Sequence, residues 1–296
     1  MKPLGIREIR AAVRGVNLSE LREDLAVVGV STDSRSARAG EVFFAIEGEN
    51  FDGHRFLAQA ADAGCVAAVV RQGAPLPADV PAMFGAGVIG VENTRAALGE
   101  LAAFYRRQCG ATVVAITGSN GKTTVKGMVH HILSRRLKGS ASPKSFNNEI
   151  GVPLTLLGVN VGDDYVICEV GTNHPGEIAA LTRIARPDVA VITSVAETHL
   201  EGLGSLEGVA TEKAAILGDL ERGGAGIVWA DSPVLARALR VYDVKLIRFG
   251  QSADADLRLT GYEAAGGGCR FELNGRRWVS LALPGRHNAL NALAAI

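Results

Sequence analysis

The sequence predicts an α/β protein: a small N-terminal α/β domain followed by a larger domain built on a mostly parallel sheet flanked by helices. Three observations predict it. At 296 residues the chain reaches the upper limit for a single core, so two domains are expected. From residue 112 onward, short apolar runs alternate with helix-spaced segments, the pattern of parallel strands joined by crossover helices. Residues 111–128, ATVVAITGSNGKTTVKGM, read as strand, glycine turn and helix start.

Taken in order, residues 2–25 read as helix and loop, with Ile6, Ile9, Val13 and Leu21 as core candidates. Ala26 to Val30 and Glu41 to Ile46 read as strands, the second ended by Gly48. Residues 51–70 read as a helix stopped by Gly64 and then a strand. Residues 71–87, rich in Pro, Gly and Ala, read as an exposed loop. Val88 to Val91 is a strand, and Thr94 to Arg107 a helix with Leu98, Leu101 and Phe104 on its apolar face. The domain boundary falls at 108–111, dividing the chain into 1–108 and 109–296. The second domain runs strand 112–116, helix 122–135, helix 150–157, strand 165–170, helix 175–184, strand 188–193, helix 207–220, strand 225–229, helix 232–240 and strand 244–248. Residues 255–283 change to short alternating runs that predict an antiparallel extension, and 284–296 open a further helix.

Composition narrows the function class. Hydrophobic residues are 47% of the chain, enough for a large core, and 31 basic against 31 acidic residues leave no excess charge for a nucleic acid or a membrane surface. The 36 glycines fall at turns. The four cysteines lie far apart with no C-x-x-C pair, as expected of reduced thiols in the cytoplasm. The start MKPLGIREIR is too charged for a signal peptide, and no apolar run approaches a membrane span. A soluble, intracellular protein is expected.

The glycine turn is the chemical centre. Strand, glycine turn and helix start present backbone N–H groups to a polyphosphate, and glycine lets the backbone come close. The candidate run is Thr117, Gly118, Ser119, Asn120, Gly121, Lys122, Thr123 and Thr124. Lys122 would neutralise the β/γ-phosphates and Thr123 would offer its hydroxyl to Mg²⁺. The match to the Walker A pattern is incomplete, because Ile116 stands where that pattern has its first glycine. The bland alternative is an ordinary glycine-rich turn with a stray lysine.

Other candidates lie further along. Glu169 ends a buried strand, where a carboxylate near a phosphate loop suits a metal or merely caps or decorates the surface. His199 follows another strand on the same side, as a ligand or a hydrogen-bonding histidine; Mg²⁺ prefers oxygen. Spacing alone makes Lys213 a solvated helix lysine, and His174 a hydrogen-bonding loop residue. Asn147 and Asn148 precede a helix, to touch phosphate or cap it, and His287, Asn288 and Asn291 share a turn that reads an adenine edge or simply starts a helix.

Together these segments resemble the Mur ligases, the ATP-dependent enzymes that build the peptide of bacterial cell-wall precursors. The resemblance rests on TGSNGKTT, NNEIGVPLTLL, EVGTNHPGEI, THLEGLGSLEGVATEK and GRHNALNALAA, and in the first domain on STDSR, GEVFFAIEG and FDGH. The NHPGEI and HLEGLGSLEGVA forms are most similar to the D-alanyl-D-alanine-adding branch. The resemblance implies a UDP-sugar-binding first domain and a central ATP-binding domain with a P-loop-type sheet. It implies catalytic roles for Lys122, His199 and Lys213. Two Mg²⁺ ions are implied, one on Thr123 and Glu169, the other on His199 and a Lys213 carbamylated by CO₂. Asn291, with Asn288, would lie by the adenine. Ser31, Thr32, Asp33, Arg35, Asp52, Gly53 and His54, with Asn147 and Asn148, are the substrate-side candidates.

The implied substrates are UDP-N-acetylmuramoyl-tripeptide and D-alanyl-D-alanine, joined through an acyl phosphate by a cytoplasmic monomer with no nucleic-acid or membrane partner. A ligase adding a single amino acid, or a non-catalytic nucleotide switch, are the alternatives. Relatives carry a third, C-terminal domain, and this sequence ends within the helix before it, so weak nucleotide binding and poor ligation are expected of it.

Overall fold

The computed structural model describes residues 1–48 and 51–296. Its described residues fall into two compact units, Met1–Cys109 with Leu156–Val161, and Gly110–Thr155 with Gly162–Ile296.

The first unit comprises β1 (Leu4–Gly5), α1 (Ile6–Ala12), β2 (Val16–Asn17), β3 (Ala26–Val27), β4 (Gly29–Ser31), β5 (Glu41–Phe44), α2 (Leu57–Asp62), β6 (Ala67–Arg71), α3 (Val80–Met83), β7 (Gly87–Val91) and α4 (Thr94–Arg106). Its main sheet has the order β2-β7-β6-β5-β4, with β4 to β7 parallel and β2 antiparallel at the edge. Runs such as Val42–Ala45 and Ala67–Val70 are wholly buried, as strands covered on both faces must be.

Several local expectations are corrected. Ala26 to Val30 is not one strand: Ala26–Val27 pairs antiparallel with Leu4–Gly5, and Gly29–Ser31 joins the main sheet. The stretch 71–87 is not all loop, because α3 packs Val80 and the following Phe84 into the core. On α4 the buried aromatic is Tyr105 rather than the half-buried Phe104, and Leu21 is only partly covered. Tyr105 is held inside by its hydroxyl, which donates to the Val159 carbonyl at 2.7 Å and accepts from the Lys2 amide at 2.6 Å. Apolar spacing cannot foresee that exchange, since the two partners lie in the distant segments 1–5 and 156–161.

The second unit comprises β8 (Thr112–Thr117), α5 (Lys122–Leu133), β9 (Gly139–Ala141), α6 (Gly151–Leu157, ending in the segment that groups with the first unit), β10 (Tyr165–Glu169), α7 (Glu177–Ala185), β11 (Val189–Ile192), α8 (Leu200–Leu203), α9 (Leu206–Ala214), β12 (Ala225–Trp229), α10 (Pro233–Ala238), β13 (Lys245–Gly250), β14 (Leu257–Ala265), β15 (Gly268–Leu273), β16 (Arg277–Leu281) and α11 (Arg286–Ala295). The sheet order is β16-β15-β14-β13-β12-β11-β8-β10-β9. From β9 to β14 neighbours are parallel; β14, β15 and β16 form the antiparallel extension. The expected α/β class, with a mostly parallel sheet flanked by helices, is what the chain adopts.

Here too there are differences. β9, Gly-Ser-Ala, is a strand without a β-branched residue, held at the edge by pairing with β10. The expected helix 207–220 is shorter, preceded by the separate turn α8 and followed by a 3₁₀ turn at Ala215–Leu217. Ser205 separates α8 from α9 by capping α9, its hydroxyl accepting from the Gly208 amide at 3.1 Å.

Candidate active site

The order β11-β8-β10 puts the carboxyl ends of three parallel strands side by side. Loops leaving such ends share one crevice. The first is the glycine turn after β8. Gly118 has φ +151° and Gly121 φ +84°. A Cβ on Gly118 would lie 1.9 Å from Thr193 Oγ1, and one on Gly121 would lie 2.4 Å from Asn291 Oδ1, so both positions need glycine for space as well as for backbone. The loop after β11 clasps the turn. The Ser119 amide donates to the Ser194 carbonyl at 3.0 Å, the Asn120 amide to Ser194 Oγ at 2.9 Å, and Thr193 Oγ1 to the Asn120 carbonyl at 2.5 Å.

That clasp occupies part of the turn. The amides of Ser119 and Asn120 are already spent on Ser194, and the Ser119 hydroxyl is engaged with Ala196 and Thr198. The groups left for an anion are those at the start of α5, whose N-cap Gly121 has no side chain to cap them. An uncapped twelve-residue helix carries partial positive charge at this end. Lys122 folds back over the turn, Nζ donating to the Gly118 carbonyl at 2.7 Å. Burial lowers the pKa of its ammonium, against the pull of Glu169. Thr117, at the end of β8, is fully buried and its Oγ1 has no hydrogen-bond partner among the described residues.

Glu169 ends β10, in register with Ile116 of β8, and is 2% exposed. The surface-charge alternative is thereby removed. Its Oε2 accepts from Thr123 Oγ1 at 2.9 Å and its Oε1 from Asn147 Nδ2 at 3.1 Å. A hydroxyl and a carboxylate oxygen at this spacing are the donor set a hard divalent cation takes, so the Mg²⁺ that the resemblance implies fits the pair. Lys126, which the sequence reading passed over, lies 3.1 Å from the same Oε2 and is likewise buried.

Lys122, Lys213, His199 and Asn147 line one cavity of about 360 Å³. Lys213 overturns the expectation of a solvated helix lysine: it is 2% exposed, and no group among the described residues hydrogen-bonds its ammonium. Burial, then the charge of Lys122, bring its pKa down to about 8, against the opposing pull of Glu212. Glu212 holds the wall in place, its carboxylate accepting from the amides of Gly176 at 2.7 Å and Ile178 at 2.8 Å. His199 is exposed at the rim and sits in the left-handed region at φ +55°, as the N-cap of α8. Its nitrogen and an amine do not by themselves suit Mg²⁺; a carbamate on Lys213 would supply oxygen.

The asparagines divide. Asn148 Oδ1 accepts from the Gly151 amide at 2.9 Å, so it caps α6 while lining the cavity. Asn291 lines a second cavity, about 510 Å³, beside Asn120, Gly121, Trp229 and His287. Asn288 is outside that lining, its amide donating to the Pro284 carbonyl at 2.7 Å and its Oδ1 accepting from Asn291 at 3.3 Å. Trp229 ends β12, and Asp231 Oδ2 accepts from its indole at 3.2 Å. Its local sequence marks only the end of a strand. His174 is a hydrogen-bonding loop residue, 3.1 Å from Glu177 Oε1.

In the first unit, Ser31 ends β4 and Thr32, Asp33 and Arg35 follow it, while Asp52, Gly53 and His54 come after the end of β5. Ser31 Oγ and Asp33 close a local turn, and Arg35 is paired to the Asp33 carboxylate, which it holds below the usual range. Thr32 is half-buried beside them. A Cβ on Gly53 would come within 2.7 Å of the Ile46 backbone, which explains the glycine. His54 Nε2 accepts from the Arg71 amide at 2.9 Å, which puts its proton on Nδ1, 2.7 Å from Asp52. With both ring nitrogens engaged, the cluster Glu47, Asp52 and His54 is a hydrogen-bonded post rather than a metal centre. A cavity of about 210 Å³ beside it is lined by Glu47, Arg71, Asn93 and Arg95 among others; none of the seven candidates from 31 to 54 lines it.

Comparison with known proteins agrees with this architecture. The family described as Mur ligase middle domain matches residues 116–296, and that described as Mur ligase family, catalytic domain, matches 26–106. The UDP-N-acetylmuramoyl-tripeptide–D-alanyl-D-alanine ligase of Escherichia coli K12 is 41% identical over 277 residues, 92% of this chain and 60% of the relative. A crystal structure of MurF from Acinetobacter baumannii superposes with TM-score 0.88 at 31% identity, covering 100% of this chain and 64% of that one. The MurF ligase from Thermotoga maritima, solved in complex with ADP, gives TM-score 0.78 at 28% identity, over 90% of this chain and 61% of that one. The chain thus spans about three-fifths of the length of the curated relatives it matches.

Proposed function

The chain belongs to the Mur ligase family, and on that premise we propose that it carries the UDP-sugar-binding and ATP-binding parts of an ADP-forming ligase. The reaction is the joining of D-alanyl-D-alanine to UDP-N-acetylmuramoyl-tripeptide in the synthesis of bacterial cell-wall precursors. The observation that carries this reading is the convergence of Lys122, His199 and Lys213 on one cavity, with the Thr123–Glu169 oxygen pair beside it.

Each residue then has a task. The free amides at the start of α5 and the Lys122 ammonium hold the triphosphate, so Lys122 must leave the Gly118 carbonyl when ATP enters. Asn291, against Gly121, and Asn288 behind it read the adenine; Trp229 forms a wall of the same cavity. Thr123 and Glu169 would hold one Mg²⁺, and His199 with Lys213 a second, and the positive charge supplied there would offset the repulsion between carboxylate and triphosphate. Lys213 is prepared for its part by a pKa of about 8. Its neutral amine nitrogen bonds the carbon of CO₂ and releases a proton, leaving a carbamate with oxygen donors.

The chemistry runs in two displacements. The terminal carboxylate of the tripeptide attacks the γ-phosphorus of ATP, ADP leaves, and an acyl phosphate remains. The amine of D-alanyl-D-alanine attacks the acyl carbon, phosphate leaves, and the nitrogen sheds its proton as the amide forms. The protein's contribution is position and charge: two anions are brought together by the Lys122 ammonium and the helix start, with Lys213 serving as a cation ligand rather than as a positive charge. Ser31, Thr32, Asp33, Arg35, Asp52, Gly53 and His54 are the candidate contacts for the UDP-sugar, with Asn147 and Asn148 toward the peptide carboxylate. The reading carries with it a cytoplasmic, monomeric enzyme; no described helix is long and apolar enough to cross a membrane.

The test is phosphate release from ATP, with each acceptor alone and with both, and mass detection of the UDP-linked pentapeptide. Release that requires both UDP-N-acetylmuramoyl-tripeptide and D-alanyl-D-alanine supports the reading. Release indifferent to both overturns it in favour of a nucleotide switch.

A further inference from the structure

Glu169 has a buried cationic partner that its proposed task does not require. Lys126 stands one turn along α5 from Thr123 and is 5% exposed. Its Nζ is 3.1 Å from Glu169 Oε2, donates to Ser142 Oγ at 3.3 Å, and makes a short bond to the Lys144 carbonyl. An ionised carboxylate offers about four lone-pair directions. On Glu169, Oε2 serves Thr123 and Lys126, and Oε1 serves Asn147, which leaves about one. The Lys126–Glu169 pair is also formally neutral.

Both facts bear on cation binding. Mg²⁺ sheds water reluctantly and is held by one or two carboxylates together with substrate phosphates. A carboxylate with a single direction left, and its charge already balanced, gives a free divalent cation little reason to stay. A triphosphate delivered to the start of α5 changes that balance. We propose that Lys126 is a charge-balancing residue that keeps the Thr123–Glu169 pair from holding a divalent cation alone, so that the cation enters only with a polyphosphate. The inference rests on the nucleotide reading above, in that α5 must be where the phosphates sit.

Mn²⁺ is the probe, followed by the loss of its free-ion electron paramagnetic signal. The wild-type chain should retain Mn²⁺ poorly alone and well in the presence of ADP. Lys126→Met should bind Mn²⁺ without nucleotide more tightly, on the order of tenfold or more, the scale set by removing a like charge a few ångström away at an intermediate dielectric. Lys126→Met combined with Glu169→Gln should lose that gain, and Lys126→Arg should behave as wild type. The sign discriminates: if Lys126 only anchored residues 142–147, its removal would loosen the site and weaken binding.

Two results would overturn the proposal. One is a cooperatively melting Lys126→Met that binds free Mn²⁺ no more tightly than wild type. The other needs no Lys126 variant: wild-type chain that binds Mn²⁺ equally with and without ADP, through a site lost in Glu169→Gln. If ADP fails to bind the wild-type chain at all, the nucleotide reading falls, and the free-Mn²⁺ comparison still decides whether Lys126 suppresses the site.

Discussion

The hydroxyl of Thr123 donates to Glu169 Oε2 at 2.9 Å, tying the first turn of α5 to the carboxyl end of β10. The contact follows from the sheet: Glu169 is in register with Ile116, so the strand that carries it ends where the glycine turn begins. Removal of the hydroxyl should therefore cost chemistry more than folding. Thr123→Ala is expected to lower substrate-dependent phosphate release by at least about 10–100-fold, because the hydroxyl is both a proposed cation ligand and the group that fixes the Glu169 carboxylate, and the second role alone is worth that range. Thr123→Ser should retain most of it. Equal loss in both variants would refute a role for the hydroxyl.

Lys213 makes a prediction about stability and pH. Its folded pKa of about 8 lies below the ordinary 10.5, so the unfolded chain binds the extra proton between these values. Stability contributed at this position must then rise with pH across that window. In CO₂-free buffer, Lys213→Met should be more stable than wild type at pH 7, by on the order of 2 kcal/mol, because it removes a buried charge. The gap should narrow from about pH 8 to 10.5, as the folded wild type ceases to hold a proton. Denaturant midpoints at a series of pH values would check it; a gap constant with pH would contradict the burial argument.

Trp229 offers an optical test of the second cavity. The chain has two tryptophans, and only Trp229 lines the cavity beside Asn291 and Gly121. In a Trp278→Phe background, ADP should quench the remaining fluorescence, whereas tripolyphosphate, which has no base, should not. Equal quenching by the two would place the base elsewhere.

Gly121→Ala should be doubly costly. The residue would hold φ +84° and bring its Cβ within 2.4 Å of Asn291 Oδ1. A loss of about 1–3 kcal/mol in stability is expected from the backbone strain, together with weaker ADP binding in calorimetry. Asn291→Ala should restore part of the stability in the double variant by removing the clash, and should not restore ADP binding.

Tyr105→Phe tests the packing of residues 156–161 within the first unit. The change leaves the Val159 carbonyl and the Lys2 amide without their partner. A loss of about 1–3 kcal/mol is expected for a buried group so abandoned, measured by thermal or denaturant unfolding. A neutral outcome would mean that water replaces the hydroxyl.

The residues of the glycine turn were legible in the sequence because strand, turn and helix start are contiguous. Gly118, Gly121, Lys122 and Thr123 are brought together by geometry within a few residues. Glu169 was legible as the end of an apolar run, its burial less so. Spacing does not reveal the burial of Lys213, since α9 has buried residues on more than one side and its neighbour Glu212 is also covered. Lys126 and Trp229 gave no local signal: one sits amid an ordinary helical segment, the other closes an ordinary strand. β9 was missed because Gly-Ser-Ala has no intrinsic strand preference and pairs only because β10 is beside it.

By itself, then, the chain's order of residues determined its class, the run of strands and helices and the place of the phosphate turn, all of which depend on short-range periodicity and steric rules. The tertiary structure decided which charges are buried and what they face. It set Lys126 against Glu169 and Lys213 into the cavity with Lys122, and it spent the amides of Ser119 and Asn120 on Ser194. The reason is physical: the cost of a buried charge and the use of an amide depend on groups far away in sequence, which only the packing of the sheet brings within reach.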